Sequence, residues 1–165
     1  MIFKIKRHNS ILYSTLLTLS RNLYFYNKIN LKDTYETRIY LMFMHFSIIL
    51  ITRKNRNEIF PQSYYDNLFF SIENNLRELG QGDVAVNKKM KDLNKIFYDI
   101  LIKIFKKERP PEINKSLILK YFDEFKNLKD DKYLIFEQYL IKFNDFCFEL
   151  SPEIVIKEAI KFKVN

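Results

Sequence analysis

The sequence predicts an all-α protein: a single-domain bundle of about six to seven helices over residues 1–165, built around a buried central second helix. Three observations lead to that prediction. Only two glycines and four prolines occur in the 165 residues, too few turn residues for the hairpins of an all-β fold. Apolar residues recur every three or four positions, the spacing of one helical face. Residues 39–51 are apolar on nearly every side, interrupted only by His45 and Ser47, as in a helix surrounded by others.

The first helix is expected from about Ile11 to Tyr26, on apolar positions 12, 16, 19 and 23. Residues 1–8 are basic and could pass for a weak signal or transit peptide. No small-residue cleavage site follows, so the segment reads as the approach to the first folded helix. A short connection, residues 30–34, leads to a second helix of about Tyr35 to Lys54. Its apolar run is shorter than the roughly 20 residues of a membrane span. Arg38 and Arg53 bracket it, so it is expected at the centre of a bundle.

Pro61 suits the first turn of a third helix. There Tyr65, Phe69, Ile72, Leu76 and Leu79 follow a 4-3-4-3 spacing, and Gly80 ends it as a left-handed cap. The fourth helix is expected to begin near Asn87, with Met90, Leu93, Phe97, Ile100, Leu101 and Ile104 inward; Pro110-Pro111 then forces a break. A fifth helix covers about Lys115 to Leu128, with Ile118, Tyr121, Phe122 and Phe125 inward, followed by a polar turn at 129–131. A sixth covers about Tyr133 to Glu149, with Phe136, Tyr139, Leu140, Phe143 and Phe146 inward. Ser151-Pro152-Glu153 reads as a cap, a proline at the first helical position and an acidic first turn. It opens a short last helix ending near Phe162.

The net charge is +8, gathered at residues 4–7, 53–56, 88–95 and 103–109. Such clusters favour an anionic partner such as RNA, a ribosome or acidic lipid; a plain solvated lysine surface has the same composition. The single cysteine, Cys147, cannot form an internal disulfide and reads as a small buried hydrophobe.

Catalytic patterns are absent. With His8 and His45 as the only histidines, there is no HExxH, CxxC or GxSxG pattern, so neither metal nor nucleophilic catalysis is supported and no cofactor is expected. A lone His45 on an apolar helix reads as a hydrogen-bonded core residue rather than a heme ligand.

Two features remain. Arg38, His45 and Thr52 are spaced by seven and form one polar line on the second helix. They either hydrogen-bond internally to the first and third helices or open onto a groove where a partner docks. A buried Arg38 would need an acidic or carbonyl partner, with Asp33 and Glu78 as candidates. Secondly, both glycines of the chain lie in Gly80-Gln81-Gly82. Following a helix rather than a strand, this is no nucleotide loop. It reads as a helix-to-helix turn whose backbone needs positive φ or a close approach by something, with Asp83 able to cap or to hold Arg77.

These segments resemble the ubiquinol–cytochrome c chaperone family. Ile11-Leu12-Tyr13, Arg21 and Phe25-Tyr26 are similar to its opening helix. Asp33-Thr34-x-x-x-Arg38 with the later His45 and Arg53 resembles its second, although Thr37 stands where the family commonly has glycine. Asn75-Leu76-Arg77-Glu78-Leu79-Gly80-Gln81-Gly82-Asp83-Val84-Ala85-Val86 resembles its N-L-R-E-M-G-x-G-D-x-x-V signature, continued by Lys88 to Met90 and Phe97-Tyr98. The resemblance covers about residues 9–105. It implies a non-enzymatic assembly chaperone for cytochrome b of respiratory complex III. Asp33, Thr34, Arg38, His45, Arg77, Glu78, Gly80, Gly82 and Asp83 would then be partner-binding. It further implies nascent cytochrome b as client, the ribosome exit region, an anionic membrane surface and a small partner protein as further contacts, and no DNA. A short, bacterial-type member would be cytoplasmic and peripheral at the inner membrane. The competing reading, from charge, is a basic helical RNA- or ribosome-binding module, which salt dependence would separate from apolar groove binding.

Overall fold

The computed structural model describes residues 2–126, 131–151 and 154–163; of residues 2–10 it describes the backbone. Seven α-helices lie among them: α1 Ile2–Ser20, α2 Tyr35–Asn55, α3 Gln62–Glu78, α4 Asp83–Lys103, α5 Lys115–Tyr121, α6 Lys132–Phe148 and α7 Val155–Glu158. The basic run at 4–7 falls outside the described side chains. The caps proposed at 152–153, and the turn at 129–131 except Asp131, fall outside the described residues.

The expected central helix is found. α2 packs against α1, α4 and α6, and its residues 41–49 are all buried. One side meets a cluster of rings from α3 and α4: Phe43 stacks on Phe69 (5.6 Å between centroids) and meets Phe97 edge-on (5.4 Å). The other side meets α6, where His45 lies edge-on to Phe143 at 4.8 Å and Tyr139 in turn meets Phe25 at 4.8 Å. Burying Phe and Tyr on both flanks, each with a large apolar area, holds the helix in place. No described helix is long and apolar enough to cross a membrane.

Several boundaries differ from expectation, for local reasons. α1 ends at Ser20 instead of Tyr26. The Asn22 side-chain oxygen accepts the Tyr24 N–H (3.0 Å), a competing local bond that breaks helices, and the chain continues as one π-helical turn, Tyr24–Lys28. Pro61 lies just before α3, in extended geometry (φ −60°, ψ 133°). α4 begins at Asp83, four residues before Asn87, with its acidic residue in the first turn, where the helix dipole favours it. The break at Pro110-Pro111 contains a small antiparallel hairpin, β1 Phe105–Lys107 with β2 Glu112–Ile113. α5 stops at Tyr121 and is followed by a 3-10 turn, Asp123–Lys126.

α2 and α6 are also joined end to end. The guanidinium of Arg53, 1% exposed, donates to the carbonyls of Cys147 and Leu150 (2.7 Å for the latter) and to Glu58 (3.1 Å). Arg56 donates to the carbonyls of Phe148 (3.0 Å) and Leu150. Helix ends leave such carbonyls short of partners, and two cations at the end of α2, Arg53 in its last turn and Arg56 just past it, add theirs. Arg53 is therefore no exposed bracket of an apolar run, and residues 53–56 are not an open cationic patch. Cys147 is buried beside them, and burial pushes its thiol well above its ordinary range.

Candidate docking site

The nine residues singled out from sequence fall into two surface clusters and one interior position. The first cluster opens α2. Thr34 caps the helix, its hydroxyl accepting the Thr37 N–H (3.2 Å). Asp33 accepts both Nε (2.9 Å) and Nη2 (2.6 Å) of Arg38. That pair raises the guanidinium pKa further, with Asp33 as the main cause. Arg38 is half-buried; its partner is Asp33 and not Glu78. Glu78 is exposed and makes no ion pair among the described residues. Thr37, the departure from the family pattern, is buried and shares a hydroxyl contact with Thr34 (3.1 Å).

His45 is the interior position. It has no accessible surface, so it cannot touch a partner in this conformation, and the expectation that it binds one is corrected. Both ring nitrogens are engaged: Nδ1 with the Leu41 carbonyl (2.6 Å), Nε2 with the Tyr139 hydroxyl (2.7 Å). A carbonyl only accepts, so Nδ1 carries the proton and Tyr139 donates to Nε2. Thr52 is equally buried and donates to the Ile49 carbonyl (2.8 Å). The polar line of α2 is therefore internal beyond Arg38, and it bridges to α6 rather than to α1 and α3.

The second cluster is the α3–α4 turn. Gly80 has φ +89°, and the Gln81 N–H reaches back to the Leu76 carbonyl (3.3 Å). This is the left-handed helix ending that favours glycine. Gly82 precedes α4 with φ −75° and ψ 165°, which any residue adopts. A Cβ built there meets nothing within 4 Å. Arg77 closes the turn by donating to Asp83 and to Glu73 (3.1 Å). Residues 77–85 are all exposed, and Leu79 (63%) and Val84 (86%) present apolar surface on either side.

The two clusters are not hydrogen-bonded to each other among the described residues; Lys89 of α4 and Glu36 of α2, 4.0 Å apart, lie between them. A groove of about 490 Å³ lies between α3 and α4, lined by Tyr65, Phe69, Phe70, Met90, Lys91 and Asn94 among others. The Tyr65 hydroxyl donates to Asn94 across it. Phe70, half-exposed, was missed from sequence. The available signal was an aromatic off the inward stripe of α3. Among the described residues no group of three or more His, Cys, Asp or Glu is placed to hold a metal.

The turn separates its two glycines energetically. Gly80→Ala should lose about 1 kcal/mol or somewhat more, since an L-residue is strained at that φ. Gly82→Ser should be neutral or stabilising by a few tenths of a kcal/mol, because serine is a better helix cap. Urea unfolding of both variants checks this. An equal loss in both would mean that Gly82 is required by the fold itself.

A family model for the Ubiquinol-cytochrome C chaperone matches residues 27–110, half of the chain. The chain belongs to the ubiquinol-cytochrome C chaperone family. Both surface clusters and the groove lie within the matched segment; α5, α6 and α7 follow it. The fold of this family member is similar to a crystal structure of the Cbp3 homolog from Brucella abortus, with a TM-score of 0.63 and 20% identity over 94% of this chain and 93% of that one. No curated protein matches the chain.

Proposed function

We propose that this ubiquinol-cytochrome C chaperone binds newly made cytochrome b at the α3–α4 turn and the adjoining groove, holds it for assembly and performs no catalysis. The observation that carries this reading is Gly82. It is exposed, in a conformation open to any residue, with empty space where a side chain would stand. A bare backbone there is useful to something outside the chain that approaches closely. Cytochrome b is a bundle of apolar helices, and one such segment laid between α3 and α4 would cover Leu79, Phe70 and Met90 as helix-in-groove partners do. Methionine and aromatic contacts suit a surface that must accommodate a client. Arg77, Glu78, Gly80 and Asp83 shape the rim, and Asp33, Thr34 and Arg38 set the start of α2 behind it. Such a chaperone works peripherally at the inner membrane, where its client is inserted.

A photo-crosslinking residue at position 81 should capture nascent cytochrome b, and Gly82→Ser should reduce that capture while the protein stays folded. Deletion of the gene should selectively lower the b-type absorbance of membranes. An intact b-type spectrum together with no crosslink from a folded protein overturns the reading.

A further inference from the structure

The outer face of α4 is not accounted for by the bundle, and of its residues only Lys91, which also lines the groove, and Val84, beside the turn, border the docking site. Its inward residues Val86, Leu93, Phe97 and Ile100 belong to the core. Opposite them, Val84, Lys88, Lys91, Lys95, Tyr98 and Ile102 are all exposed. At 3.6 residues per turn these six lie within about 40° of a single line along the helix. None of the three lysines is in an ion pair among the described residues, whereas Lys89, off the line, faces Glu36 at 4.0 Å. Asp92 is exposed beside the line and not on it. The ends of the stripe are apolar, with Val84 86% exposed at one and Ile102 73% at the other.

We infer that this stripe is the surface by which the protein lies on an anionic bilayer. Three features favour lipid. Every cation on the line is lysine, whose flexible stem lets the charge reach headgroups while its methylenes lie along apolar surface. Exposed Ile102 and Val84 gain nothing from a phosphate backbone, but they gain by entering the headgroup boundary. Tyr98 is of the type that settles at that interface. RNA recognition would instead draw on arginine forks and rings free to stack, and the line holds no arginine. Because the inward face of α4 stays in the core, contact is shallow and its strength rests mainly on charge, so salt weakens it.

The inference deepens the peripheral placement proposed above, and it is tested without the client. The full chain is co-sedimented with vesicles of phosphatidylcholine, and with vesicles of phosphatidylcholine mixed with phosphatidylglycerol. Binding should require the anionic lipid and fall with salt. Lys88→Gln with Lys95→Gln should weaken it about 25-fold, at about fivefold for each lysine near the surface. Lys32→Gln with Lys142→Gln, the same charge change on other elements, should leave it unchanged. Ile102→Asn, which leaves the charge unchanged, should weaken it severalfold, without changing binding to a fluorescent RNA oligonucleotide. Equal binding to neutral and anionic vesicles, or equal loss in the control pair, overturns the inference. So does an RNA that binds more tightly than the vesicles and is released by the Lys88/Lys95 pair. Failure here leaves the crosslink from position 81 standing, and failure of that crosslink leaves vesicle binding standing.

Discussion

Arg53→Met is expected to destabilise the protein by about 3–5 kcal/mol, the effect of removing one partner from a buried, hydrogen-bonded charge. The arginine is almost wholly enclosed, and its head group serves the Cys147 and Leu150 carbonyls and Glu58 together. Methionine fills much of the stem's volume but removes three hydrogen bonds from a charged donor, each worth about 1.5–3 kcal/mol. Arg56 still reaches the Leu150 carbonyl and Glu58, and the Cys147 carbonyl keeps the Leu150 N–H, so the loss stays below their sum. Arg53→Lys should recover part of the loss, because an ammonium can reach one of these oxygens but cannot fork between them. Arg56→Gln, on a more exposed side chain, should cost less than about 1 kcal/mol. Guanidinium unfolding gives the free energies, and hydrogen exchange at the Glu149 and Leu150 amides reports the end of α6. A loss under about 1 kcal/mol for Arg53→Met, with unchanged exchange there, would refute the linkage.

Acid should weaken the fold well before the carboxylates account for it. Burial of His45 lowers its pKa from 6.5 to about 4, so the folded state resists a proton that the unfolded chain accepts. Between those values the unfolded chain binds more protons, and stability therefore rises with pH across the window. The contribution is fully present above pH 6.5 and is lost as pH falls towards 4. The shift corresponds to about 3 kcal/mol. Asp99 behaves differently. Burial pushes its carboxyl up, but hydrogen bonds from Lys103, Lys120 and Tyr121 outweigh this and hold it well below the usual carboxylate range, so its loss comes at lower pH. Unfolding free energies at pH 7 and 4.5 should differ markedly in the parent protein. His45→Gln should flatten that difference while lowering stability at pH 7, since its amide cannot reproduce both contacts. An unchanged pH slope in His45→Gln would rule out the buried imidazole as the cause.

Local pattern revealed much of this architecture. α2 was readable because its residues are apolar all round, which only a surrounded helix tolerates. The inward faces of α3, α4 and α6 were readable from helical spacing, except that Leu79, expected on the α3 face, follows the helix end and is exposed; the end of α3 was readable from the chain's rare glycines. The roles of Arg53 and His45 were not readable. Their decisive partners lie 94 residues away, and a cation at the end of an apolar run ordinarily turns its charge to water. The β1–β2 hairpin is too short for alternation to register. α1, which starts at Ile2 rather than near Ile11, was read past its end because one side-chain bond from Asn22 outweighed a continuous apolar spacing. In the candidate site, the exposed turn followed from its glycines, whereas the distinction between Gly80 and Gly82 needed their backbone angles.

The bond between the ends of α2 and α6 bears on how the chain can be divided. Residues 27–110 match the family model and include Glu58, the carboxylate partner of Arg53, yet the two carbonyls that complete its hydrogen bonding come from residues 147 and 150. A fragment stopping at 110 would keep the Arg53–Glu58 pair but lose both carbonyl partners of the guanidinium and uncover the α6 side of its central helix. The recognisable half of this protein is thus not a module that can be excised or transplanted; its less recognisable tail is the complement that lets it fold.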